Sequence, residues 1–217
     1  MKMVSISSFI ISMIFVCLLS AQLFHADDDI NCLKSVKASL DKNNSFLKSW
    51  DFTNGTKTNV STFSGIECWN PDDNRVLSIN LSGLGLVGQF PLSVSKCGSM
   101  TGLDLSNNNL NGSIPSNISH LIPYVTSLDL SYNLFSGNIT DNIANCTFMN
   151  ILKLNNNNFT GQIPEQIGQL TRLKKFDVSN NQLSGRVPDF GNNTDSVAVN
   201  YANNAGLCGG PLSPCKH

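Results

Sequence analysis

Aligned on itself, the 217-residue chain repeats every 24 or 25 residues from position 76 onward, with units opening at Val76, Met100, Val125, Met149 and Leu173. Each unit carries the same apolar frame: Val76/Ile79/Leu81, Met100/Leu103/Leu105, Val125/Leu128/Leu130, Met149/Leu152/Leu154 and Leu173/Phe176/Val178. A segment that short cannot bury its own apolar face, so successive units must stack and bury one another's. The alternation at the end of each frame predicts a short strand.

The rest of the unit is equally regular. Three positions after the strand stands Asn108, Asn133, Asn157 or Asn181, a side chain able to satisfy the backbone of a buried turn. A glycine follows at Gly88, Gly112, Gly137, Gly161 and Gly185, where the chain bends without a side chain. Three residues later comes Pro91, Pro115, Pro164 or Pro188, with Thr140 in the third unit, which holds the convex side in an extended or short helical path. The pattern L-x-x-L-x-L-x-x-N-x-L-x-G-x-I-P is that of plant-type leucine-rich repeats. The fold class expected is an α/β repeat solenoid, a short right-handed coil of five repeats over 76–196. Caps are expected at 27–75 and 197–217.

A cationic start and an apolar run from Phe9 to Leu19 mark residues 1–26 as a secretory signal peptide, which places the product outside the cell, in the apoplast. Ten Asn-x-Ser/Thr sites agree with that address: Asn43, Asn54, Asn59, Asn80, Asn111, Asn117, Asn138, Asn145, Asn158 and Asn192. A chain complete at His217 is soluble and meets the membrane only through a partner; a longer form would sit in the plasma membrane. With 14 basic and 15 acidic residues, the chain offers no footprint for nucleic acid.

Six cysteines remain after leader removal. Cys97 and Cys146 share a column with Leu121 and Leu170. Two repeats separate them, about 10 Å at the usual strand spacing and beyond the ~7 Å a bridge tolerates, so both are expected as free, buried thiols. Cys208 and Cys215 close a short C-terminal loop, which leaves Cys32 and Cys68 to staple the N-terminal cap.

Catalytic, cofactor and metal sites are not expected. Gly83-Leu-Gly85-Leu-Val-Gly88 spells a dinucleotide fingerprint, but Gly88 is the repeat glycine and the next unit begins too soon for a crossover helix. Ligand sets of zinc spacing are lacking. His120 has no carboxylate at a fixed offset, and the column Asn80, Asp104, Asp129, Lys153, Asp177 mixes charges as a solvated column does.

Side chains between the buried leucines project from the concave face: Asn80 and Ser82; Thr101, Asp104 and Asn107; Thr126, Asp129 and Tyr132; Lys153, Asn155 and Asn156; Lys174, Asp177 and Asn180. A protein-binding centre is expected at Tyr132, Lys153, Lys174 and Asp177, with Asp129 and Asn155 beside it, because interface hot spots favour an aromatic anchor flanked by charges. A glycan on Asn80 would shield the N-terminal part of the curve.

From Cys32 to Cys215 the sequence resembles the ectodomains of plant leucine-rich-repeat receptor-like kinases, and within them the co-receptor-interacting receptor-like pseudokinases. The resemblance lies in Glu67-Cys-Trp-Asn-Pro-Asp-Asp-Asn-Arg-Val-Leu77, Gly88-Gln-Phe-Pro91, Pro115-Ser-Asn-Ile-Ser119 and Tyr201-Ala-Asn-Asn-Ala-Gly-Leu-Cys-Gly-Gly-Pro-Leu212, among others. It implies a monomeric, non-enzymatic module that binds the ectodomains of somatic embryogenesis receptor kinases and restrains hormone or immune signalling, here as a soluble regulator or decoy. Ser61 departs from the pattern, standing where relatives carry a cysteine, which is a further reason to pair Cys68 with Cys32. The alternatives are a secreted inhibitor of a microbial cell-wall hydrolase, similar to polygalacturonase-inhibiting proteins, and a truncated receptor-like kinase.

Overall fold

The computed structural model describes residues 28–53, 58–72, 74–191 and 197–215. The expected leader and the sequons Asn54 and Asn192 lie outside the described residues. Helix α1, residues 28–40, opens the N-terminal cap and buries Cys32, Leu33, Val36 and Leu40 on one face, as their helical spacing requires. Beneath it Trp50 is fully buried, stacked on Phe63 at 6.0 Å, with its indole N–H donating to the Ser64 carbonyl at 2.9 Å.

Strand β1 (Ile66–Cys68) completes the cap, and each coil then contributes two short strands. These are β2 (Val76–Asn80) and β3 (Val87–Gly88), β4 (Gly102–Asp104) and β5 (Asn109–Gly112), β6 (Ser127–Asp129) and β7 (Leu134–Asn138), β8 (Ile151–Lys153) and β9 (Asn158–Gly161), and β10 (Lys175–Asp177) and β11 (Gln182–Arg186). Strands β12 (Ala198–Asn200) and β13 (Gly206–Cys208) follow. The first member of each pair joins the sheet β1-β2-β4-β6-β8-β10-β12, and the second joins β13-β11-β9-β7-β5-β3. All neighbours run parallel except β1 against β2. The segment expected as the C-terminal cap adds a strand to each sheet through β12 and β13. On the convex side the chain crosses in short helical turns. In the third coil, where proline is missing, the Thr140 hydroxyl accepts from Asn142 N–H at 3.3 Å and starts the turn instead.

The repeat asparagines perform the task their position predicts. The Asn133 amide donates to the carbonyls of Leu105 at 2.9 Å, Leu130 at 3.2 Å and Ser131 at 3.2 Å, while its oxygen accepts from Leu110 N–H at 3.0 Å. One side chain thus satisfies its own turn and the preceding coil. Asn108, Asn157 and Asn181 do the same, and Asn204 extends the ladder into the C-terminal segment. Asn157→Ala strips partners from several buried backbone groups at about 1–3 kcal/mol each. It is expected to lower the urea midpoint sharply, by roughly 3 kcal/mol of stability, and an unchanged midpoint would refute the ladder's structural role.

Two cysteine expectations are corrected. Cys32 is bonded to Cys97, with Cα atoms 5.6 Å apart, and not to Cys68, and Cys97 is accordingly no free thiol. The column that Cys97 shares with Cys146 faces a neighbouring coil everywhere but at its first position. There the neighbour is α1, which brings Cys32 within reach. Cys208 and Cys215 are bridged, and Cys146 is a buried thiol whose burial pushes its pKa up to about 11.

Candidate protein-binding surface

The concave residues do not act as one cluster. Register places Asn80, Asp104, Asp129, Lys153, Asp177 and Asn200 in a line across the sheet. Lys153 extends its ammonium to Asp129 at 2.7 Å, and that hydrogen bond, helped by Asp104 and Asp177, raises the lysine pKa against the opposing effect of burial. Asp129 is only 7% exposed, its other oxygen accepting from the Ser131 amide and hydroxyl. Asn155 is also buried, in a column otherwise occupied by Ser82, Ser106, Ser131 and Ser179. Neither Asp129 nor Asn155 offers the projecting surface expected of it. Asp177 is half-buried and accepts from Ser179 and Asn200. Tyr132 and Lys174 are exposed.

Tyr132 occupies an unusual backbone position. Asn107, Asn156, Asn180 and Asn203 stand at the same place in their coils with φ between 54° and 57°, and Tyr132 has φ 54°. Asparagine enters this left-handed region more readily than other side chains; a tyrosine carries a penalty of about 1 kcal/mol there. Its ring is 53% exposed. Tyr132→Asn is therefore expected to stabilise the fold by about 0.5–1 kcal/mol, and a fall in denaturation midpoint would refute that account.

A second surface went unseen in the sequence. The residue just before the first buried position of each coil lies on the lateral edge: Arg75, Ser99, Tyr124, Phe148 and Arg172. Tyr124 is 53% and Phe148 39% exposed, with ring centroids 6.1 Å apart, and the Arg172 guanidinium lies over the Phe148 ring at 5.3 Å. Trp69, half exposed, continues the line toward the cap: its indole N–H donates to the Ser99 carbonyl at 3.1 Å, and Arg75 covers its face at 5.6 Å. Solvent-exposed aromatics aligned over successive coils, with guanidinium groups at both ends, have the composition of an interface centre. The repeat frame does hold the signal, in the column preceding Met100, Val125, Met149 and Leu173, outside the strand positions that alternation assigns to the concave face.

The eight sequon asparagines among the described residues are all exposed, and none lies in that lateral column. Among the described residues no cluster of metal-ligating side chains occurs and no helix is long and apolar enough to cross a membrane.

A coil of stacked parallel strands in two sheets, with the asparagine ladder between coils, defines a leucine-rich-repeat solenoid. The Leucine Rich Repeat family matches residues 99–121, 124–146, 149–170 and 172–193. The chain belongs to the ectodomains of plant leucine-rich-repeat receptor-like kinases, in the group that includes the inactive kinase BIR2. It is 44% identical to the crystal structure of the BIR2 ectodomain from Arabidopsis thaliana, with a TM-score of 0.79 over 85% of this chain and 96% of that one. Against the BIR3–SERK2 complex of the same organism the identity is 40% and the TM-score 0.76, covering 86% of this chain and 98% of that one. A leucine-rich repeat receptor-like protein kinase of Arabidopsis thaliana is 59% identical over 200 residues, which are 92% of this chain and 32% of that protein. The chain thus spans about a third of that relative's length.

Proposed function

We propose that this chain is an extracellular, non-catalytic module that binds the ectodomain of a co-receptor kinase of the SERK type through its lateral ridge, and so withholds that co-receptor from other receptors. The observation that carries the reading is the ridge itself. Tyr124, Phe148 and Arg172 are ordered against one another yet exposed, a preorganised anchor that needs little side-chain ordering on binding. The likeness to a chain of the BIR3–SERK2 complex supports the choice of partner, and the relatedness to the inactive kinase BIR2 supports a regulatory rather than catalytic role. Lys174 stands two residues from the ridge column, and Asp177 and Tyr132 stand progressively further across the concave sheet, where they extend the contact. The leader and the exposed sequons support secretion and glycosylation.

The test is a binding titration of the secreted chain against the SERK2 ectodomain, beside a panel of unrelated leucine-rich-repeat ectodomains. Selective binding by SERK2 is expected. Uniform failure across co-receptor ectodomains would refute the reading.

A further inference from the structure

The ridge and the concave-sheet columns beside it are not uniform in charge. In the first four coils the column of Lys174 holds Leu77, Thr101, Thr126 and Asn150, and that of Lys175 holds Ser78, Gly102, Ser127 and Ile151. Both columns are neutral until the fifth coil, where they turn cationic beside Arg172. All three side chains are exposed, and none enters an ion pair among the described residues. Arg172 is already fixed over Phe148, so the cationic group abuts the aromatic anchor directly. The other end of the same edge is mixed in charge, with the Arg75 guanidinium over Trp69 and two carboxylates beside it. Glu67 on β1 lies opposite Ser78, whose hydroxyl donates to its carboxylate at 3.0 Å, and Asp72 is exposed beyond it.

From this asymmetry, three grouped cations at one end against a mixed set at the other, we infer that the partner surface seated on the ridge presents a cluster of carboxylates opposite Arg172, Lys174 and Lys175. These three cations draw the partner in and fix which way round it lies along the edge. The inference rests on the reading of the ridge as a protein-docking surface and adds the chemistry of the partner and the direction of docking. Rim charges of this kind act on the association rate and its salt dependence, while the desolvated aromatic centre governs dissociation. Screening shortens their reach from about 10 Å at 0.1 M salt to about 3 Å at 1 M.

The experiment measures association and dissociation of the SERK2 ectodomain with the parent chain, with Lys174→Glu/Lys175→Glu, and with Phe148→Ala, across that range of salt. Charge reversal is expected to slow association about tenfold or more at low salt, to remove or invert its salt dependence, and to leave thermal stability close to the parent's. Lys174→Arg/Lys175→Arg, which keeps the charge, is expected to behave as the parent. If charge reversal leaves the association rate and its salt slope unchanged while Phe148→Ala still weakens binding, the electrostatic inference fails and the ridge stands. If the parent itself does not bind, both fall together.

Discussion

Phe148→Ala is expected to weaken binding of the co-receptor ectodomain by about thirtyfold or more, roughly 2 kcal/mol, while the fold remains intact. The ring is the hub of the lateral ridge, touching Tyr124 on one side and carrying the Arg172 guanidinium on the other. Truncation removes the apolar surface that a partner would bury and at the same time releases Arg172 from its fixed position, so two contributions are lost together. Because Phe148 is 39% exposed and lies outside the close-packed frame of Met149, Leu152 and Leu154, its removal leaves no large cavity. Titration calorimetry alongside a thermal melt checks the point. Parent-like affinity for Phe148→Ala and Tyr124→Ala would move the contact off the ridge, to Tyr132 and the concave sheet. Tyr132→Asn then becomes decisive, because it is expected to stabilise the protein while weakening a concave contact, and opposite signs in stability and affinity are not produced by a general loss of structure.

The period, the buried frame and the asparagine ladder were legible in the sequence because each is enforced in every coil by the same physical demand: an apolar face to cover and a turn whose backbone must be satisfied. What varies from coil to coil was harder to read. Alternation along a strand assigns Asp129 and Asn155 to solvent, but a short strand running straight into a buried turn folds its last side chains back against neighbouring coils. Asp129 is spent on Ser131 and Lys153, and Asn155 sinks into the serine column. The ridge was missed for the converse reason. Tyr124, Phe148 and Arg172 precede the strands, where no alternation rule applies, and only stacking in register brings them side by side. Cys97 shows how a repeat rule fails at its boundary: its column predicts a coil as neighbour, and the first coil has a helix instead.

That boundary sets the largest expected effect on stability. In the chain-entropy account, closing a loop stabilises by an amount that grows with its length, about 4 kcal/mol for the 65-residue separation of Cys32 and Cys97 against about 2 kcal/mol for the 7 residues between Cys208 and Cys215. The longer bridge also does something the shorter one does not. It holds α1 against the first coil, whose apolar frame of Val76, Ile79 and Leu81 is buried and would be uncovered at the end of the stack if the helix left. Cys32→Ser/Cys97→Ser is therefore expected to lower stability by about 4 kcal/mol, about 2 kcal/mol more than Cys208→Ser/Cys215→Ser. Cys146 cannot substitute for either lost partner: it is buried two coils further along the same column, with a thiol that burial holds protonated up to about pH 11. Urea titration of the two double variants gives the ranking, and amide exchange gives the location, with protection lost first in 28–40 for the N-terminal variant and in 197–215 for the C-terminal one. Equal costs, or fraying at the same end in both, would mean that α1 is held by packing of Leu33, Val36 and Leu40 alone and that the bridge to Cys97 only follows from their proximity.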